Sequence, residues 1–169
     1  MEVVPFLFFA FPYQDIMRLT INTPVEKSYE EVFQGFTFEL FNALTPKFPP
    51  VVVKRFDGCT TGDEVHIEMT LPILNRTERW ISRIVKHGKV QGHKTYTDEY
   101  FFIDEGIELP FFLTSWRHTH RIIAATEGGA VIVDDIEYTT PLLLLPFVSP
   151  VISAQFRARQ PIYKEFFAK

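Results

Sequence analysis

Between Val51 and Thr139 the chain breaks into six short extended stretches, each closed by a turn signal. Val51 to Phe56 (VVVKRF) ends at Asp57-Gly58, and Glu64 to Leu71 (EVHIEMTL) stops at Pro72. Thr77 to Lys86 (TERWISRIVK) sets Arg79, Ile81, Arg83 and Val85 against Trp80, Ser82, Ile84 and Lys86, and His87-Gly88 follows as a turn. Lys94 to Ile103 is a fourth stretch, then a loop over Asp104 to Pro110. Phe112 to Ala124 and Val131 to Thr139 flank a hairpin turn at Glu127-Gly128-Gly129, and Pro141 ends the series. Period-two alternation between turn residues predicts strands joined by hairpins. Strands connected in that way form an antiparallel sheet, and its apolar face must be covered.

Helical segments at the two ends supply the cover. Arg18 to Asn22 reads as a first strand, followed by Thr23-Pro24-Val25-Glu26. Thr as N-cap, Pro at the first helical position and Glu at the third make a capping box. Val25, Tyr29, Val32, Phe33 and Phe36 then recur at helical spacing, and a second short helix, Phe36 to Leu44, ends before Pro46. Near the C-terminus Ser149-Pro150 reads as a helix start, with Ile152, Phe156, Tyr163 and Phe167 on one face. Pro161 lacks the N–H that would bond back to Arg157, so a kink or break is expected there. The predicted class is α+β: a curved seven-stranded antiparallel sheet wrapped around a long C-terminal helix, with two short helices between strands 1 and 2. Such a sheet leaves a hollow where ligands bind.

At 169 residues one domain is expected. Aromatic residues reach 15%, including 18 Phe, so a large core, an apolar pocket or a covered partner surface is expected. The net charge of −4 and the lack of a Lys/Arg run argue against a nucleic-acid partner. Cys59 is the single cysteine, which fits a reducing, cytoplasmic setting. Residues 1–16 are apolar but lack a basic leader region and carry Pro5 and Pro12. They are too short to span a bilayer as a helix, so no stable membrane insertion is expected. They read as an extension ahead of a domain over 17–169, with Met17 as an alternative start. A segment that packs on an apolar surface or touches membrane is the other reading.

Four pieces in this order resemble the START-like superfamily, also called SRPBCC. They are the Thr23-Pro24 opening of the first helix, the Trp116-x-His118-x-His120 strand, Asp134-x-Ile136-x-Tyr138 followed by Pro141, and the aromatic C-terminal helix with Phe156-Arg157. The likeness covers Met17 to the C-terminus and is greatest to bacterial members described only as ligand-binding. The resemblance implies a helix-grip fold that holds hydrophobic molecules such as lipids, polyketides or aromatic metabolites. It carries no universal catalytic residues.

The stretch SWRHTHR, Ser115 to Arg121, places Trp116, His118 and His120 on one side of a strand. Residues two apart on a strand face the same way, roughly 6.5–7 Å apart along the chain. His118 and His120 can therefore share an ion, with Asp98, Asp134, Glu137 or an upstream His as third ligand. No histidine lies downstream, and neither metal nor cofactor is expected. Acid–base chemistry is a second option, with His118 or His120 oriented by Asp98 or Asp134. A buried Asp–His pair that only ties strands together is the favoured alternative. The length of the Glu127 hairpin turn leaves the face of Asp134 open. Cys59 and Ser115 show no nucleophile motif. The expected pocket wall is Trp80, Tyr96, Tyr100, Phe102, Trp116, His118, His120, Tyr138, Phe156 and Tyr163, with Phe111 and Phe112 as a lid. The leading expectation is binding or carriage of a small hydrophobic molecule. A polyketide cyclase or dehydratase and a co-chaperone-like interaction module are the rivals.

Overall fold

The computed structural model describes residues 15–92 and 97–168. One antiparallel sheet of seven strands has the order β1-β7-β6-β5-β4-β3-β2. The strands are β1 (Met17–Val25), β2 (Val51–Phe56), β3 (Glu64–Leu71), β4 (Arg76–Val90), β5 (Glu99–Glu108), β6 (Ser115–Ala124) and β7 (Ala130–Thr139). Helices α1 (Tyr29–Gln34) and α2 (Phe38–Ala43) separate β1 from β2, and α3 (Leu145–Arg157) and α4 (Arg159–Phe166) close the chain. Among the described residues, no helix is long and apolar enough to cross a membrane.

Several boundaries differ from the sequence expectation, each for a physical reason. Thr23 and Pro24 belong to β1, where they pair with Ile132 and Val131 of β7. β1 is an edge strand, and an edge tolerates a residue without an N–H. The capping box lies further on: Ser28 accepts from the Glu31 N–H, and the Glu31 carboxylate accepts from the Ser28 N–H. His87-Gly88 is not a turn but part of β4, with Gly88 opposite Phe101. A Cβ on Gly88 would stand 3.1 Å from that ring, so glycine makes room for it. Asp104 to Glu108 is strand rather than loop. Gly106 fits there because a Cβ would collide with the Leu109 side chain. The predicted strand start at Lys94 to Tyr96 lies outside the described residues, as do residues 1–14.

The last helix starts at Leu145, with Pro146 in its first turn, where no N–H is needed, and Pro150 falls inside it. It stops at Arg157 and resumes at Arg159, so the break falls at the carbonyl that Pro161 cannot bond. Gln160 on α4 donates to the Asn22 carbonyl of β1 at 3.0 Å. Two apolar clusters fill the concave side. One joins Val32, Leu40, Ile122, Ile132 and Tyr163. The other joins Ile21, Trp116, Ile136, Ile152 and Phe156. Along β6, His118 and His120 sit between Trp116 of one cluster and Ile122 of the other.

Candidate functional site

The inward face of β6 carries Trp116, His118, His120 and Ile122 as strand alternation requires. Register decides what they meet. His118 stands opposite Asp104 of β5 and Ile136 of β7, and His120 opposite Phe102 and Asp134. Asp134 therefore shares the face of the histidines. The short contacts run along the diagonals of this square. His118 Nε2 lies 2.9 Å from Asp134 Oδ1, and His120 Nε2 lies 3.2 Å from Asp104 Oδ2. The direct cross-strand contacts are longer, 3.5 Å from His118 Nδ1 to Asp104 Oδ2 and 3.8 Å from His120 Nδ1 to Asp134 Oδ1. The two imidazoles lean together with centroids 3.6 Å apart. His120 stacks on Phe102, and Phe156 presents its edge to His118. Trp116 Nε1 donates to Asp104 Oδ1 at 3.0 Å.

All four polar groups are withdrawn from water, with Asp134 fully buried and His118 only 3% exposed. Burial opposes ionisation of Asp104, but the bond from His120 and the nearness of both imidazoles outweigh it and hold the carboxyl below its usual range. Burial likewise opposes ionisation of Asp134, and the bond from His118 wins there. Burial and the adjacent His118 push His120 down to about 4, so its ring is neutral at neutral pH.

Three of the four, Asp104, His118 and His120, border a cavity of about 800 Å³ between α2, the strands β2 to β6 and α3. Trp80, Phe102, Trp116, Phe156, Asp104, His118 and His120 reach its surface. Asp134 lies behind the histidines. Tyr100, Tyr138 and Tyr163 do not line the cavity. Tyr100 stacks on Phe33 at 4.5 Å, the Tyr138 hydroxyl donates to Ser149 at 2.9 Å, and Tyr163 is fully buried in the core. Tyr96 lies outside the described residues. Asp98 is not in the quartet: it accepts from the Tyr29 hydroxyl and the Gly92 N–H at the foot of β5. Asp104, placed in a loop by the sequence, holds that position instead. The two aspartates share strand parity, so the face was legible and the position along β5 was not.

Phe111 and Phe112 flank the cavity, and Phe48, Ile73 and Phe147 form an apolar rim with exposures of 67%, 91% and 71%. The Cys59 thiol is pushed up to about 12, chiefly by burial. Ser115 points outward and bonds Thr139.

No family model matches the sequence, and no curated protein matches it significantly. Solved structures do. Truncated norcoclaurine synthase from Thalictrum flavum superposes with a TM-score of 0.61 at 12% identity, covering 89% of this chain and 91% of that one. TTHA0849 from Thermus thermophilus gives a TM-score of 0.58 at 12% identity, over 91% and 97%. The di-domain ARO/CYC protein StfQ from the steffimycin biosynthetic pathway gives 0.56 at 15% identity, over 90% of this chain and 51% of that one. The fold is the helix grip shared with these structures. In this helix grip the sheet curls around α3 and α4, and the His/Asp quartet sits where strands and helix converge on the cavity.

Proposed function

We propose that this helix-grip chain binds or carries a small hydrophobic molecule, a lipid, polyketide or aromatic metabolite, in the cavity between sheet and C-terminal helix. The observation that carries the reading is the cavity itself: about 800 Å³, walled mostly by aliphatic and aromatic side chains, with Asp104, His118 and His120 among its few polar groups. That volume lies within the usual range for small-molecule pockets. Burying roughly 300 Å² of apolar ligand surface at ~25 cal/mol per Å² gives a gross ~7.5 kcal/mol before ordering costs. His118 and His120 would orient a polar end of the ligand.

A neutral fluorescent probe, N-phenyl-1-naphthylamine, tests this. Saturable binding at one site is expected. Ile67 on β3 borders the cavity, so Ile67→Trp fills the space and should weaken binding tenfold or more without lowering the thermal midpoint. No binding by the wild type, or equal binding by the variant, overturns the reading. Native mass spectrometry of protein from its host would then identify the natural occupant.

A second reading, an acid–base catalyst of cyclase or dehydratase type, draws on the Asp134–His118 pair at the cavity. Asp134 fixes the orientation of an imidazole that also touches the cavity surface, the arrangement a general base requires. His120, held near 4, is a weak base at neutral pH. Loss of water from a poly-β-ketone thioester, followed by mass spectrometry and abolished in His118→Gln, would favour catalysis over carriage.

A further inference from the structure

We propose that Asp104, His118 and His120 bind a divalent transition-metal ion of the zinc class, through Asp104 Oδ2, His118 Nδ1 and His120 Nε2, with the fourth position open to the cavity.

The first support is spacing. One ligand atom from each residue falls within 4.8 Å of the others. Asp104 Oδ2 lies 3.5 Å from His118 Nδ1 and 3.2 Å from His120 Nε2. Bonds of about 2.0–2.1 Å set the edge of a tetrahedral zinc site at roughly 3.3 Å. Two edges are thus already present, and they come from cross-strand register rather than from flexible surface chains.

The second support is what holds each ligand from behind. A metal-bound imidazole typically gives its other N–H to a carboxylate, which fixes tautomer and ring orientation. His118 Nε2 meets Asp134 Oδ1 at 2.9 Å, leaving Nδ1 for the ion. Trp116 holds Asp104 Oδ1, leaving Oδ2 for the ion.

The third support is what the cluster lacks without an ion. His118 Nδ1 lies 3.5 Å from Asp104 Oδ2, too far for a good hydrogen bond. His120 Nδ1 is buried with no hydrogen-bond partner. An ion at His120 Nε2 moves that ring's proton to Nδ1, which faces Asp134 Oδ1 at 3.8 Å. The proton is only relocated, so the step balances. Two carboxylates lie at or just behind this mostly apolar wall, paired with the two imidazoles, while Arg159, which lines the same cavity, acts on Asp134 from further off. A dication would neutralise charge that an apolar surround makes costly. Three protein ligands and one open position are the pattern of a catalytic rather than a structural zinc site. The open position would take water or an oxygen donor of the cavity's occupant.

Cobalt(II) titration of the full, chelator-stripped chain tests the site, with zinc calorimetry alongside. Expected are one ion per chain and the intense visible bands of four-coordinate cobalt. His120→Ala and Asp104→Asn should each weaken binding at least tenfold. Asp134→Asn should weaken it about tenfold while keeping the bands, as loss of a supporting carboxylate does. His66, which pairs with Glu64 near the surface, is the control, and His66→Gln should change nothing. A folded wild type without stoichiometric binding overturns the proposal, whatever the variants do. So does affinity that survives His120→Ala or falls with His66→Gln. Binding of the naphthylamine probe is a separate readout, so failure of the metal site and failure of the cavity reading are distinguishable.

Discussion

Replacing Asp134 by alanine should destabilise the metal-free protein by about 3 kcal/mol. Asp134 is fully buried and His118 is 3% exposed, so water cannot replace the lost partner. Removing the carboxylate leaves the His118 N–H buried and unpaired, which costs about 1–3 kcal/mol. Breaking a buried charged pair from one side typically costs about 3–5 kcal/mol. Asp134 Oδ2 lacks a hydrogen bond of good geometry, with only the Tyr163 hydroxyl beside it, so the native carboxylate is itself imperfectly stabilised, which favours the lower end of that range. Asp134→Asn separates bond from charge. Its amide oxygen can still accept from His118 Nε2, so the loss should be about 1 kcal/mol, the difference between a charged and a neutral acceptor. Urea unfolding of the chelator-treated proteins reads both costs as shifts in midpoint at constant slope. If alanine falls within about 0.5 kcal/mol of wild type, or asparagine costs as much as alanine, the hydrogen-bond argument fails.

Three further outcomes follow from the geometry. His120 is held near 4 against an unfolded value of about 6.5, so its contribution is full above about 6.5 and is lost as pH falls toward 4. The loss is on the order of 3 kcal/mol in urea midpoints, and a profile that stays flat, or equals that of His120→Gln, contradicts it. Cys59, pushed up to about 12, should not react with Ellman's reagent at pH 8 until the chain is unfolded. At the β6–β7 turn, a Cβ on Gly129 (φ +80°) would collide with the Val25 carbonyl, whereas one on Gly128 (φ +94°) meets nothing within 4 Å. Gly129→Ala should therefore cost at least about 2 kcal/mol more than Gly128→Ala in thermal or urea unfolding.

The sheet was legible because β-branched and aromatic runs fill the strands from β2 to β7, with alternation clear in part of them, and turn residues lie between most of them. Its details were lost where glycine does a strand's job. Gly88 and Gly106 read as turn and loop, yet each is a place where a neighbouring side chain fills the room of a missing Cβ. A loop at Gly106 shifts the expected β5 toward the N-terminus and puts Asp98 where Asp104 stands. Thr23-Pro24 satisfied the local rule for a helix start, and pairing with β7 overruled it. That Trp116, His118 and His120 share one face followed from parity alone. Their crossed bonding to two aspartates depended on the register of three strands, which local pattern does not encode.

Strand order has a consequence for how the molecule is made. From β2 to β7 each strand pairs with its successor, so each hairpin can zip up as soon as its second half exists. β1 is different: Met17 stands opposite Tyr138. The strand synthesised first must wait for the one synthesised last, and closing so long a loop is the slow, high-contact-order event. Until β7 emerges, a nascent chain holds β1 without its partner, and the concave face stays bare until α3 and α4 follow. The cavity is thus the last feature of the molecule to come into being.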